Sequence, residues 1–471
     1  MKVMLLMPPY ENIIKYFNGW QLSASDYGAF PPLGLLYIAT YLKQKMSDIE
    51  VKVVDCPSQK MDYAELEKTI RTFKPDAVGI SVFTLCLVDV LKTAKLIKSI
   101  DNKIHICAGG PHLNIYPEQT LNYPQIDSIV IGEGENVFSD LIAQLHKGGS
   151  RRQVDGLYTK SDLNKNNFKK ATVENIDSLP IFDINLIQRE FYYSAVSKSH
   201  NIITLLSSRG CPYNCIFCDV PYKTFRGRTI NNIIEEIKLR LKQGFSEIFF
   251  YDDTFNFNEQ RVVDLCNKII EEKLKFDWSF RGRVNTVSYE MLKKAKEAGC
   301  KRIHFGIETG TDEGLKQLKK GITLEQIKNA ITWCRKLKIR TIADFIIGLP
   351  FEKSKEDVVL NIQRLVKLSP DYAQFNVLQP VPGSEIFEMG VREEIIDRKK
   401  WADFIDMPYR DFKPPLWNRY LESDDLRDLF HFAYSSFYFN PKNICRTLLS
   451  IKSRHELGRV INGGLKILLK K

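Results

Sequence analysis

Ser208-Arg209-Gly210-Cys211-Pro212-Tyr213-Asn214-Cys215-Ile216-Phe217-Cys218 crowds three cysteines into eight residues, directly after an apolar run at Ile202–Ser207. The spacing is Cys-x3-Cys-x2-Cys, with the aromatic Phe217 just before the last cysteine. Three thiolates on one loop hold three irons of a cubane cluster and leave the fourth iron without a protein ligand. The competing reading is structural zinc, which takes four ligands, usually as two paired motifs. No second Cys/His pair lies nearby in sequence, although His304 or Cys300 could approach in space. The remaining cysteines (Cys56, Cys86, Cys107, Cys266, Cys300, Cys334 and Cys445) sit mostly in apolar segments and read as small buried hydrophobes.

Downstream of the loop, strand and helix signals alternate. Strands are expected at Ile202–Ser207, Glu247–Tyr251, Asp277–Arg281, Arg302–Ile307, Thr341–Ile347 and Tyr372–Leu378, with helical segments between them. Six β/α units predict an incomplete (β/α)6 barrel over residues 198–385, with its chemistry at the carboxyl ends of the strands. Upstream, short apolar strands at Val3–Met7, Val51–Asp55, Ala77–Ser81, Ile104–Ala108 and Ser128–Ile131 alternate with helices. This predicts an α/β, doubly wound parallel sheet over residues 1–147. Residues 148–197 are polar and lysine-rich and read as a connecting segment with a small hairpin, because Gly156-Leu157-Tyr158 is its clear apolar element. Residues 386–471 read as a helical carboxyl-terminal region with a basic tail.

The bulk numbers fit this division. A chain of 471 residues is too long for one ordinary domain, and its 44% apolar content supports two buried cores. No apolar stretch is long enough to span a bilayer, and Met1–Pro9 is too short to be a secretion signal, so a cytoplasmic protein is expected. The net charge of +11 is concentrated at the end: from Phe439 onward there are eight lysines and arginines against one acid, Glu456. That tail reads first as a helical cap on the barrel. Its alternative is an amphipathic helix in peripheral contact with anionic lipid. Without an aromatic-interleaved groove motif, nucleic acid is not an expected partner.

The cysteine loop resembles the signature of radical S-adenosylmethionine (SAM) enzymes, and the likeness extends over about residues 196–385. The resemblance implies a [4Fe–4S] cluster on Cys211, Cys215 and Cys218 and reductive cleavage of SAM to a 5′-deoxyadenosyl radical. It implies SAM contacts from Phe217, from Tyr251 and Asp252 at the end of the second strand, and from Arg281. It further implies contacts from Glu308 in Gly306-Ile307-Glu308-Thr309-Gly310, and from Gly348 in Ile347-Gly348-Leu349-Pro350. The Gly-Gly-Glu-like turn of the family is replaced here by Tyr251-Asp252-Asp253. Asp252 and Glu308 also have a plainer reading as strand-end carboxylates capping the next helix.

The first 147 residues resemble the cobalamin-binding domain that precedes many radical SAM barrels. The pieces that carry the likeness are Pro32-Leu33-Gly34, Ser81, Gly109-Gly110-Pro111-His112 and Gly132-Glu133-Gly134-Glu135, which would cradle the corrin. The Asp-x-His-x-x-Gly element that donates a cobalt-binding histidine in cobalamin mutases is absent, since Asp55 is followed by Cys56-Pro57-Ser58. Together the two resemblances imply a cobalamin-dependent radical SAM methyltransferase acting on an unactivated carbon of a small or lipid-like substrate. A reductase, flavodoxin or ferredoxin would donate its electrons. A cobalamin-dependent cyclase or rearrangement enzyme is the second expectation. A tRNA methylthiotransferase and a non-catalytic iron–sulfur or zinc protein rank below it, the former because its extra amino-terminal cluster cysteines are missing.

Overall fold

Strand β1 (Lys2–Met7) buries Val3, Met4, Leu5 and Leu6, the continuous apolar run of a strand covered on both faces. The computed structural model describes residues 1–15, 28–147, 154–163, 167–194, 197, 201–417 and 419–450. Beside β1 lie β2 (Glu50–Asp55), β3 (Ala77–Ser81), β4 (His105–Gly109) and β5 (Ser128–Val130), all parallel, in the order β2-β1-β3-β4-β5. Helices α1 (Leu33–Lys45), α2 (Tyr63–Phe73), α3 (Leu87–Ile100) and α4 (Gly134–Lys147) alternate with these strands. At α2 the Asp62 side chain accepts from Glu65 N, and the Glu65 side chain returns to the Asp62 N–H, a closed capping box. The strand order reverses between β1 and β3, which opens a crevice at the carboxyl edge of the sheet.

Residues 154–194, expected as a connection, group with this first unit. Strand β6 (Leu157–Thr159) pairs antiparallel with β5 instead of closing a local hairpin. Three residues are too few for a periodicity signal. The pairing works because Leu157 and Tyr158 are buried and Ala171 N donates to Ile131 O at 2.9 Å. Arg398–Pro414 also belong to this unit, where the Tyr123 hydroxyl donates to the carbonyl of Ile405.

The second unit is built on β7 (Ile202–Leu205), β8 (Glu247–Phe250), β9 (Asp277–Gly282), β10 (Cys300–Glu308), β11 (Arg340–Ile347) and β12 (Tyr372–Val377). All are parallel and lie in sequence order, an open barrel with β7 and β12 as its edges. Between them run α5 (Ile230–Lys242), α6 (Glu259–Glu271), α7 (Tyr289–Glu297), α8 (Leu324–Lys336) and α9 (Lys355–Leu368). Alternation along each strand sorts the side chains. Ile248, Phe250, Trp278, Phe280, Ile303, Phe305 and Ile307 are fully buried on the helix side. The Trp278 ring stacks on Phe280, with centroids 5.8 Å apart, and its indole N–H donates to Ala298 O at 2.9 Å.

An open barrel leaves an edge, and unpaired edge strands invite association. Helix Ser423–Tyr438 covers β12: the Tyr434 hydroxyl meets Phe375 N at 3.3 Å, and the Tyr438 hydroxyl donates to Ala373 O at 2.9 Å. The start of the basic tail then forms helix Pro441–Ser450, where Arg446 donates to Ser369 O at 2.7 Å. That stretch packs against the loop before β12 through Arg446; the rest of the tail lies outside the described residues. No helix of the described residues is long and apolar enough to cross a membrane.

Helix α5 is fastened by charge. Glu236 is fully buried between two guanidiniums, bonding Arg240 at 2.7 Å and also the Arg228 Nη1, which donates as well to Leu206 O at 3.0 Å. Removing one partner of such a buried network leaves uncompensated charge. Glu236→Ala is therefore expected to lower the unfolding free energy by about 3–5 kcal/mol in urea denaturation.

Candidate active site

The loop carrying the three cysteines begins at Gly210, whose φ of +83° is open to glycine and strained for other residues. A Cβ at Gly210 would stand 2.2 Å from Thr224 O, so the loop closes only over glycine. Two carboxylates at the end of β8 hold it in place. Asp252, 1% exposed, accepts from Ser207 N at 2.7 Å, from the Ser207 hydroxyl and from the Ser208 hydroxyl at 2.7 Å. Asp253 accepts from Gly210 N at 2.9 Å. Burial pushes both carboxyls up, and the hydrogen bonds from Ser207, Ser208 and Gly210 pull them back down. Asp252 thus spends its acceptors on the loop.

Cys211, Cys215 and Cys218 are half-buried on this loop, and none is in a disulfide. The Cys211 Sγ lies 3.1 Å from the Thr254 hydroxyl, and the Arg283 guanidinium lies 3.8 Å from the Cys215 Sγ. Burial pushes the Cys218 thiol up. Arg283 also covers the Tyr213 ring at 3.6 Å and donates to Lys320 O, so it clamps the loop from the β9 side. The zinc alternative loses its extra ligands. Cys300 opens β10 at the amino-terminal end of the sheet, opposite the loop, and His304 lies mid-strand with its ring stacked on Phe249. Among the described residues no three His, Cys, Asp or Glu side chains converge on one ion position. A cubane asks for less, since each of its irons takes a single thiolate.

The other expected SAM residues are carried on the same face of the barrel or its rim. Phe217 packs beside Ile216, Leu318 and Leu349, with the Lys320 ammonium 5.6 Å from its ring. Tyr251 is 37% exposed and lies under the Arg281 guanidinium at 4.5 Å. Glu308 sits past a register shift in β10 with φ +67°, strain of order 1–3 kcal/mol for a non-glycine residue. Its carboxylate pairs with Lys320 at 2.7 Å, and a Cβ on Gly306 would stand 2.5 Å from that carboxylate. Gly348 turns at φ +75°. Asn361 ties the two rim loops together, accepting from Gly310 N at 2.7 Å and donating to Glu352 at 2.7 Å. Glu352 takes Leu349 N at 2.8 Å, and burial pushes its carboxyl up to about 6.

Sequence reading passed over Asp344. It faces the barrel interior from β11, in register with Gly306 and with Gln374 of β12. Burial pushes its carboxyl up to about 7; Arg281 opposes the rise and Glu308 adds to it. An acid breaking the apolar run Thr341–Ile347 at an inward position was the available signal.

In the first unit, Ser81, Gly109–His112 and Gly132–Glu135 all lie at the carboxyl edge of the sheet, and Pro32–Gly34 open α1 after β1. Gly34 is exposed, with nothing within 4 Å of a Cβ built on it, and Leu33 and Pro32 are half-buried. Gly110 turns at φ +110° beside the Ser81 hydroxyl and leads through Pro111 into His112. The His112 Nδ1 meets the Thr84 hydroxyl at 2.9 Å, its Nε2 is buried without a partner, and burial holds its pKa down to about 3. A neutral imidazole with an unused nitrogen and an open glycine edge fit a large polar-rimmed ligand. Glu133 is committed to the fold, accepting from Val173 N at 2.5 Å. Gly134 lets Ile38 approach α4, since a Cβ there would stand 2.9 Å from it, and Glu135 is buried.

Two outcomes follow from this geometry. Asp252→Asn replaces an acceptor by a donor facing the Ser207 N–H, and iron and sulfide content after anaerobic reconstitution should fall several-fold. Asp344 has a raised folded pKa, so its contribution is full below about pH 4 and is lost as pH rises toward 7. Asp344→Asn should therefore gain on the wild type between pH 4 and pH 8 by about 2–4 kcal/mol in urea unfolding.

Comparison with known proteins gives these features a family. Residues 205–361 match the Radical SAM superfamily and residues 20–142 the B12 binding domain. The chain is 32% identical to the uncharacterized methyltransferase PH0819 of Pyrococcus horikoshii, across 95% of both chains. It is 26% identical to the anaerobic magnesium-protoporphyrin IX monomethyl ester cyclase of Rubrivivax gelatinosus, across 100% of this chain and 82% of that one. Among solved structures, the cobalamin-dependent SAM radical enzyme OxsB, with aqua-cobalamin and SAM bound, superposes with a TM-score of 0.71 at 18% identity, covering 98% of this chain and 70% of that one. The chain therefore belongs to the B12-binding-domain radical SAM family, whose cofactors are a [4Fe–4S] cluster, SAM and cobalamin.

Proposed function

We propose that this enzyme methylates an unactivated carbon of a small-molecule substrate. The observation that carries the reading is the three-thiol loop, built at the carboxyl end of the first barrel strand in a chain that also carries a B12-binding sheet. When bound, the cluster supplies one electron to SAM and the corrin supplies a methyl group. Cys211, Cys215 and Cys218 hold the cluster and leave one iron open, while Asp252, Asp253 and Arg283 fix the loop. Phe217, Tyr251, Glu308 and Gly348 line the rim where SAM would lie, and Gly34, Gly110 and His112 the edge where the corrin would lie. A reductase, flavodoxin or ferredoxin supplies the electrons. For a lipid-like substrate, the basic tail would meet an anionic membrane surface.

The whole-chain match to a cyclase favours a second reading, radical cyclisation without methyl transfer. The two part in their products. Protein reconstituted anaerobically with iron, sulfide and hydroxocobalamin, then desalted, should retain both chromophores in its absorption spectrum. The triple Cys211/Cys215/Cys218→Ala variant should keep only the corrin. With SAM, reductant and cell extract as substrate source, methyl transfer yields S-adenosylhomocysteine together with 5′-deoxyadenosine, whereas cyclisation yields 5′-deoxyadenosine alone. Cluster retention without corrin would sink both cobalamin readings.

A further inference from the structure

The interior face of the barrel carries two opposite charges that do not pair. Among the described residues the Arg281 side chain on β9 makes no hydrogen bond or ion pair; its Nε is buried without a partner, and its guanidinium lies 4.5 Å from the Tyr251 ring. Among the described residues the Asp344 carboxyl on β11 makes none either, although Arg281 is near enough to act on its titration. Between them Glu308, ending β10, and Lys320, from the loop before α8, neutralise each other at 2.7 Å over the bare backbone of Gly306. Gln374 stands in register beside Asp344, also without a partner, and the His304 Nε2 is buried and unpartnered next to Arg281 in register. Both side chains are half-buried, and leaving the buried Arg281 Nε and the Asp344 carboxyl unsatisfied costs free energy that a direct pair would remove. Their separation makes physical sense when a ligand with both charges fits between them.

We propose that Arg281 and Asp344 form the head-group site for a zwitterionic substrate of the amino-acid class, Arg281 taking its carboxylate and Asp344, with Gln374, its ammonium group. This rests on the radical SAM reading above: the open iron would take the amino and carboxylate groups of SAM, and Arg281, expected from the sequence as a SAM contact, is assigned instead to the substrate. The pair is therefore left for a second molecule. Charge-assisted hydrogen bonds at both ends fix the orientation of the substrate, so the side chain beyond the head carries the carbon to be attacked.

The test uses the full chain, reconstituted with cluster and hydroxocobalamin and saturated with SAM. A panel of standard L-amino acids is screened by thermal shift and then by calorimetry. At least one should bind, with its decarboxylated amine and its deaminated acid each about ten-fold weaker or worse. Asp344→Asn should weaken that amino acid by about 10–100-fold, while SAM affinity, measured separately, stays within about two-fold. Should Asp344→Asn fold poorly by circular dichroism, Arg281→Gln carries the same expectation for the carboxylate end. Absence of any amino-acid binding, or binding unchanged in both variants, overturns the proposal. So does a parallel loss of SAM affinity, which would give the pair to SAM. Cluster absorption and SAM cleavage by the wild type are read on the same samples. If they persist while amino-acid binding fails, the radical SAM reading stands and the head-group site alone falls.

Discussion

The cysteine loop has little secondary structure of its own and depends on the buried carboxylate of Asp252. Its hydrogen bonds come from Ser207 and Ser208, the residues that lead from β7 into the loop, and it is itself the second residue beyond β8. Two parallel neighbours are thereby locked at their carboxyl ends, where the backbone ladder has stopped. Arg261 of α6 closes the arrangement by donating to Ser207 O at 2.8 Å and to Arg228 O at 3.2 Å. Desolvating a carboxylate is expensive, and three hydrogen bonds with a nearby guanidinium are the compensation. The gain is a fixed starting point for a loop whose three thiols must meet three separate irons.

The same accounting explains what could be read in advance. Eleven strands were legible because each is a local apolar run, and the cysteine spacing because it is contiguous. The roles of Asp252 and Asp253 were not. Adjacent acids at a strand end look alike as ligand contacts and as loop ties, and the deciding partners, Ser207 and Gly210, lie more than forty residues away. Arg283, Thr254 and Lys320 were missed for the same reason, since each reaches the site across the barrel from its own loop. The three-residue strand Leu157–Thr159 escaped because it has no period to detect. Arg398–Pro414, read as part of the carboxyl-terminal helical region, groups instead with the first unit through contacts such as that of Tyr123 with Ile405.

Burial and satisfaction of polar groups part company along the barrel axis. Near the amino-terminal ends of the strands, charges are closed on themselves: Arg302 pairs with Glu247 at 3.0 Å and reaches Ser279 at 3.3 Å, and Ser197 takes the other Glu247 oxygen. Toward the carboxyl ends, Arg281, His304, Asp344 and Gln374 keep their hydrogen-bonding capacity unspent. Both ends lie on the same strands, but Arg302, Glu247 and Ser279 are buried, whereas Arg281, His304, Asp344 and Gln374 are only half-buried. A fold selected for stability alone would close the upper layer as it closes the lower one, by one more ion pair or by apolar side chains. Half-buried polar side chains that stay unpaired there are placed to meet a molecule that arrives from the same end as the cluster loop. The stability forgone there is the measure of how strongly that molecule must be oriented before a radical is made beside it.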